Sequence, residues 1–289
     1  MKAEPRLAIA ILNGYPRQSR ENFDRTGVGH PHDFIRDFLQ RYLPSAAVET
    51  WFVADPDQDL PGGAGLADYA GIIWTGSDLT IYHEDDPRVT RQIALARRIF
   101  EVGVPSYGSC WGIQMAAVAA GGAVAKHPKG REWCIARDIR LTDAGRRSPL
   151  MEGKPERFDG FIMHLDEVTR LPPGGTLLAT GEHTRVQALE VKHGKGTFWS
   201  TQYHPEFNLR EMGRLIAARA KPLTQEGFFA KEDDVAGFAA QLEALHNDSQ
   251  SASLREALKI GDDILDPAIR EVELRNWVDH LVLPGYNNR

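Results

Sequence analysis

A chain of 289 residues, 42% of them hydrophobic, is long enough to bury a substantial core, as one large α/β domain or as a domain with an appendage. Its net charge of −6 excludes the basic footprint of a nucleic-acid binder, and no run of eighteen apolar residues offers a membrane span. Residues 1–6 lead into a strand-like run without a secretory profile. Two cysteines, Cys110 and Cys134, make no disulfide framework, so the expectation is a cytoplasmic protein with free thiols.

Residues 7–12 form a continuous apolar run ended by Asn13-Gly14, the pattern of a buried parallel strand. Residues 15–32 are polar, with Gly27 and Gly29, and read as a long loop at the carboxyl end of that strand, where open α/β sheets place ligands. A helix is expected over 33–43, with Phe34, Ile35, Phe38 and Leu39 on one face, then a strand over 48–53. Pro61-Gly62-Gly63-Ala64-Gly65 lacks the Gly-Lys-Ser/Thr ending and the preceding strand of a phosphate loop, and reads as a surface turn. A third strand over 71–75 ends at Gly76-Ser77, Pro87 opens a helix to about residue 101, and a fourth strand covers 104–107.

The fourth strand runs into Gly108-Ser109-Cys110-Trp111-Gly112, followed by an Ala-rich helical run. This is a nucleophile elbow with cysteine at the apex: the turn is so tight that its flanks must be glycine. Cys110 then sits at the first turn of a helix, whose partial positive charge favours thiolate, the form that attacks a carbonyl.

Beyond Gly121-Gly122 come shorter β-like runs at 134–141, 158–164, 176–179, 186–191 and 197–202, joined by turns, a mixed extension of the sheet. Directly after the last of them, Gln202-Tyr203-His204-Pro205-Glu206 supplies a base and an acceptor to orient it, with Pro205 stiffening the backbone between them. A helix over 209–220 follows. Residues 221–289 are helical in pattern, charged and free of catalytic motifs, a C-terminal extension packing on the core or on a partner. Alternating strands and helices predict a mostly parallel sheet covered by helices on both faces, with 1–220 as the catalytic domain and 221–289 as the extension.

The elbow together with Gln202-Tyr203-His204-Pro205-Glu206 resembles the class I, or triad, glutamine amidotransferases, in particular the amidotransferase domain of GMP synthase. The likeness covers about residues 7–220. It implies a flavodoxin-like α/β fold and a Cys110, His204, Glu206 triad. It further implies an oxyanion hole from the Trp111 N–H and an N–H of Gly76 or Ser77, and substrate contacts from Gln114 and from Met163, His164 and Leu165, which open Met163-His164-Leu165-Asp166-Glu167-Val168. The family's oxyanion turn usually ends Gly-Gly, so Ser77 is expected to sit at an unusual backbone angle.

No cofactor or metal is expected. His30 and His32 with Asp33 offer too few ligands, His127, His183 and His193 read as surface residues, and Arg140, Arg146 and Arg147 near Asp143 read as a solvated charged face. The chain has no Walker loop and no length for a synthetase domain. The expected activity is therefore hydrolysis of glutamine or of a γ-glutamyl amide, with Tyr82-His83-Glu84 and residues 15–32 shaping the pocket. The alternatives are a glutaminase subunit that passes ammonia to a synthetase partner, or a catalytically idle interaction protein; the sequence leaves oligomeric state open.

Overall fold

The apolar runs of the first half become parallel strands, because a strand covered on both faces needs no alternation. The computed structural model describes residues 7–60 and 63–287; the expected leader-free start at residues 1–6 and Pro61-Gly62 of the expected turn lie outside them. The first half runs β1 (Ala8–Asn13), α1 (Arg17–Thr26), α2 (Pro31–Tyr42), β2 (Ala47–Phe52), α3 (Gly63–Ala67), β3 (Gly71–Trp74), α4 (Pro87–Val102), β4 (Ser106–Ser109) and α5 (Trp111–Ala119). The second half adds β5 (Ala123–Lys126), β6 (Glu132–Leu141), β7 (Arg157–His164), β8 (Asp166–Arg170), β9 (Gly175–Thr180), β10 (Ala188–His193), β11 (Gly196–Thr201) and α6 (Leu209–Ala218). One nine-stranded sheet has the order β2-β1-β3-β4-β11-β10-β9-β6-β7. From β2 to β11 the pairings are parallel; from β11 to β7 they are antiparallel.

Two expectations give way. Residues 15–32 are not a loop: α1 fills most of them and α2 starts at Pro31. α1 buries only Phe23, so it has no apolar stripe to read, and Gly27, taken as a loop residue, is its left-handed C-cap at φ 71°. Gly63, Ala64 and Gly65 open the short helix α3, anchored by fully buried Leu66. β5 and β8 pair in a small separate sheet that four-residue Ala-Val-Ala-Lys was too short to announce.

After α6 the chain continues as α7 (Ala220–Gln225), α8 (Glu232–Asn247), α9 (Ala252–Leu258), α10 (Asp262–Leu265), α11 (Pro267–Arg270) and α12 (Val272–Trp277). A π-helical turn, Val278–Val282, and a last helix, Leu283–Asn287, complete it. The extension packs on the core. Leu242 and Leu245 of α8 share a cluster with Met212, Leu215 and Ile216 of α6, while Leu274, Trp277, Val278 and Val282 join Ile9, Ile11, Ile73 and Tyr107 of the sheet.

A buried ion pair fastens α12 beside the site. Lys154 Nζ lies 3.0 Å from Glu273 Oε1, with side chains 2% and 0% exposed, and the hydroxyl of Tyr203, next to His204, donates to the same carboxylate. Removing Glu273 strands a buried ammonium, so Glu273→Ala is expected to lose about 3 to 5 kcal/mol in urea unfolding. Pairing it with Lys154→Met is expected to recover most of that loss. A single-variant loss below about 1 kcal/mol would mean that the pair does not hold the extension in place.

Candidate active site

Parallel β4 and β11 lie side by side, with Ser109 opposite Thr201, so the segments following each strand emerge at the same edge. Cys110 follows β4 at φ 53° and ψ −93°, a strained left-handed-side conformation for a residue with a Cβ. The strain is imposed from both flanks. Any Cβ on Gly108 would lie 2.7 Å from the Gly112 Cα, so strand and helix backbones can meet only through glycine. The Cys110 N–H donates to Thr201 O at 2.8 Å, and Sγ lies 3.8 Å from Met163 O.

From the β11 side, His204 is held by its own N–H, which donates to Phe161 O at 2.7 Å, and by the edge of the Phe207 ring, 4.8 Å between centroids. Its Nδ1–H donates to Glu206 Oε1 at 2.7 Å, which leaves Nε2 for Cys110. Ser109 Oγ donates to the same Glu206 oxygen at 2.7 Å. Burial by itself would push the imidazole pKa down; the Glu206 charge and hydrogen bonds with Cys110 and Glu206 outweigh it and raise the pKa to about 10. The imidazole is therefore protonated at neutral pH. Glu206 Oε2 has no partner among the described residues, and Glu206 borders a second cavity of about 460 Å³ walled by α2 and the C-terminal extension.

The backbone N–H groups of Gly76, Ser77 and Trp111 all lack an acceptor among the described residues. The strained angle expected at Ser77 is absent: among the described residues the non-glycine positions with positive φ are Cys110, Cys134, Asp138 and Lys259. Ser77 fits because its hydroxyl turns away to donate to Gly14 O at 2.8 Å. Gly76 is the constrained position: a Cβ there would lie 3.1 Å from the Tyr15 hydroxyl and 3.3 Å from His204 Cε1.

Over the sulfur opens a cavity of about 160 Å³, small beside pockets for drug-sized ligands and suited to an amino-acid-sized one. Gln114, Met163, His164 and Leu165 line it together with Ser77, Trp111 and His204. Gln114 Nε2 donates to Asp166 O at 3.1 Å. His164 Nδ1 donates to that oxygen at 2.8 Å, while Nε2 lies 3.1 Å from Glu132 Oε2. With both ring nitrogens engaged inside the protein, His164 braces the 163–166 segment. Tyr82, expected to shape the pocket, reaches Asp166 Oδ1 at 3.1 Å.

Three neighbours carried no sequence signal strong enough to single them out: Ser109, Tyr15 and Arg219. Tyr15 was visible only as the residue after Asn13-Gly14 at the carboxyl end of β1, and Arg219 follows α6 in a charged stretch. The remaining histidines divide. His127 is buried, not superficial, stacked 4.2 Å from half-buried His183, whereas His193 is exposed. His32 is also buried; its desolvation lowers the pKa to about 4, and its Nδ1 accepts from Asn13 Nδ2 at 2.8 Å. Arg146 pairs with Asp143 on an exposed face, as expected.

Residues 64–220 match the profile of the family described as glutamine amidotransferase class-I. The chain is 34% identical over 284 residues to γ-glutamyl-L-1-hydroxyisopropylamide hydrolase of a Pseudomonas species, a match covering 96% of this chain and 94% of that protein. GMP synthase of Leifsonia xyli subsp. xyli is 33% identical over 147 residues, which is 51% of this chain and 28% of that enzyme. A solved glutamine amidotransferase of Thermotoga maritima superposes with a TM-score of 0.63 at 17% identity, covering 96% of this chain and 99% of that one, and so shares the fold. No helix among the described residues is long and apolar enough to cross a membrane.

Proposed function

Because the chain belongs to the class-I glutamine amidotransferase family, we propose that it is a hydrolase of γ-glutamyl amides, releasing glutamate and an amine, or ammonia when the substrate is glutamine itself. The observation that carries this reading is the near-full-length likeness to a γ-glutamyl amide hydrolase, joined to an imidazole that is hydrogen-bonded to a carboxylate and interacts with the Cys110 thiol.

The Cys110 thiolate attacks the γ-carbonyl carbon. The carbonyl oxygen becomes an oxyanion, received by the unpaired N–H of Trp111 and that of Gly76 or Ser77; one such donor typically contributes about 3 to 4 kcal/mol. Collapse of this intermediate breaks the C–N bond as the His204 imidazolium gives its proton to the departing nitrogen, leaving a γ-glutamyl thioester on Cys110. Water then enters, His204 takes one of its protons, and the hydroxide displaces the sulfur to give glutamate. Glu206 holds the imidazole in the tautomer that keeps Nε2 on the reacting side.

The second reading, an ammonia-delivering subunit, has its support in the likeness to the amidotransferase region of GMP synthase. Turnover by the isolated chain separates the two. The hydrolase reading expects steady cleavage of γ-glutamyl alkylamides with no other protein present; an isolated chain that cleaves neither them nor glutamine until a synthetase is added would favour the subunit.

A further inference from the structure

Tyr15 borders the cavity over Cys110 with its hydroxyl unused. The residue is 6% exposed, and the rest of it is tied down. Its N–H donates to Asn13 Oδ1 at 2.9 Å, its carbonyl accepts from Arg20 Nη1 at 2.6 Å, and its ring meets Phe23 edge-on at 5.0 Å between centroids. The hydroxyl makes no hydrogen bond among the described residues. Cys110 does not engage it, since Sγ faces Met163 O at 3.8 Å, and the neighbouring hydroxyl of Ser77 is spent on Gly14 O. A buried phenol ordinarily finds a partner. The partner left for this one is a molecule that comes and goes with turnover.

Which molecule follows from where the hydroxyl sits. A Cβ on Gly76 would meet the Tyr15 oxygen and His204 Cε1 within 3.1 and 3.3 Å, so the phenol and the edge of the imidazole flank the same point. Nε2, next to Cε1 in the ring, serves two visitors in turn: the departing nitrogen, which it protonates, and the water that takes its place. The nitrogen asks only for that proton. The water gives one hydrogen to Nε2 and a lone pair to the thioester carbon, and its second hydrogen then needs an acceptor in a space walled by protein. A phenolic oxygen is such an acceptor. Burial first, and then the charge at Cys110, hold the Tyr15 pKa far above its ordinary value, so the phenol keeps its own proton at every working pH.

Resting on the hydrolase reading above, we propose that Tyr15 is a catalytic residue of the second half of the reaction, its hydroxyl oxygen holding the water that hydrolyses the γ-glutamyl thioester. His204 takes one hydrogen of that water as a proton while the other stays bonded to Tyr15. The water oxygen forms its bond to the thioester carbon, the C–S bond breaks, and Cys110 returns as thiolate beside the His204 imidazolium. Tyr15 neither gains nor loses a proton. Formation of the thioester consumes no water and does not call on the Tyr15 hydroxyl.

The test uses the purified full chain and the γ-methyl ester of glutamate, whose alcohol leaves more readily than an amine, so that breakdown of the thioester limits turnover. Tyr15→Phe keeps the ring against Phe23 and removes only the oxygen. Its kcat for glutamate release is expected to fall about 10-fold, the scale of one lost hydrogen bond. Its kcat/KM, which reads only the steps through acylation, is expected to stay within about twofold of the parent. Acid-quenched and weighed during turnover, the variant is expected to carry the γ-glutamyl group on a larger fraction of its chains than the parent. Equal falls in kcat and kcat/KM with no added acyl-enzyme would place Tyr15 in acylation or in packing, and overturn the proposal. An unchanged kcat overturns it as well. A parent chain that cleaves neither this ester nor any γ-glutamyl amide overturns the hydrolase reading, and this proposal with it.

Discussion

Replacing Cys110 with alanine is expected to lower γ-glutamyl amide hydrolysis by about a millionfold, the scale seen when a triad nucleophile is removed. Nothing nearby can stand in for it. Ser109 is adjacent, but its hydroxyl is spent on Glu206 at 2.7 Å, and on β4 it lies before the apex of the turn. Cys134 is 6% exposed and its burial pushes the thiol up to about 12, so it is neither presented nor ionised at neutral pH. Alanine carries a Cβ like cysteine, so the backbone strain at φ 53° persists and the fold is expected to melt near the parent temperature. Amine release by the isolated variant measures the effect; a residual rate within about a hundredfold of the parent would mean that another group attacks.

The second large effect is a displaced pH profile. Burial pulls the His204 pKa down, while Glu206 and the hydrogen bonds with Cys110 and Glu206 lift it to about 10. The proton that His204 must hand to the leaving amine is present throughout the neutral range and lost as pH rises through about 10. The basic limb of kcat/KM for the parent is expected there. Glu206→Gln removes the carboxylate charge and keeps the burial, so the limb is expected to fall to the ordinary histidine value near 6.5 or below it, with kcat at pH 8 lower by about 10⁴-fold. Stability moves with the same sign. Protonated His204 contributes fully below about 6.5 and its contribution is lost as pH rises through about 10, a slope that Glu206→Gln is expected to flatten. Rate profiles from pH 5 to 11 check both; a Glu206→Gln limb that stays near 10 would remove Glu206 from this role.

What could be read from the sequence is what local chemistry encodes. The β1, β3 and β4 runs and the glycines at 108 and 112 are local patterns, and the folded chain explains them by burial on two faces and by a backbone approach only glycine permits. His204-Pro205-Glu206 was legible because both groups lie within three residues. α1 was hidden by having one buried residue, and His127 looked superficial because the packing that buries it, against His183 and Glu167, comes from distant segments.

Identifying the covalent intermediate tests the central claim most directly. The chain turning over a γ-glutamyl amide is quenched in acid, digested, and its peptides weighed. The account predicts a γ-glutamyl group on the peptide containing Cys110, present during turnover and gone once substrate is exhausted. Steady amine release with Cys110 unmodified, or with the acyl group on any other residue, would contradict it.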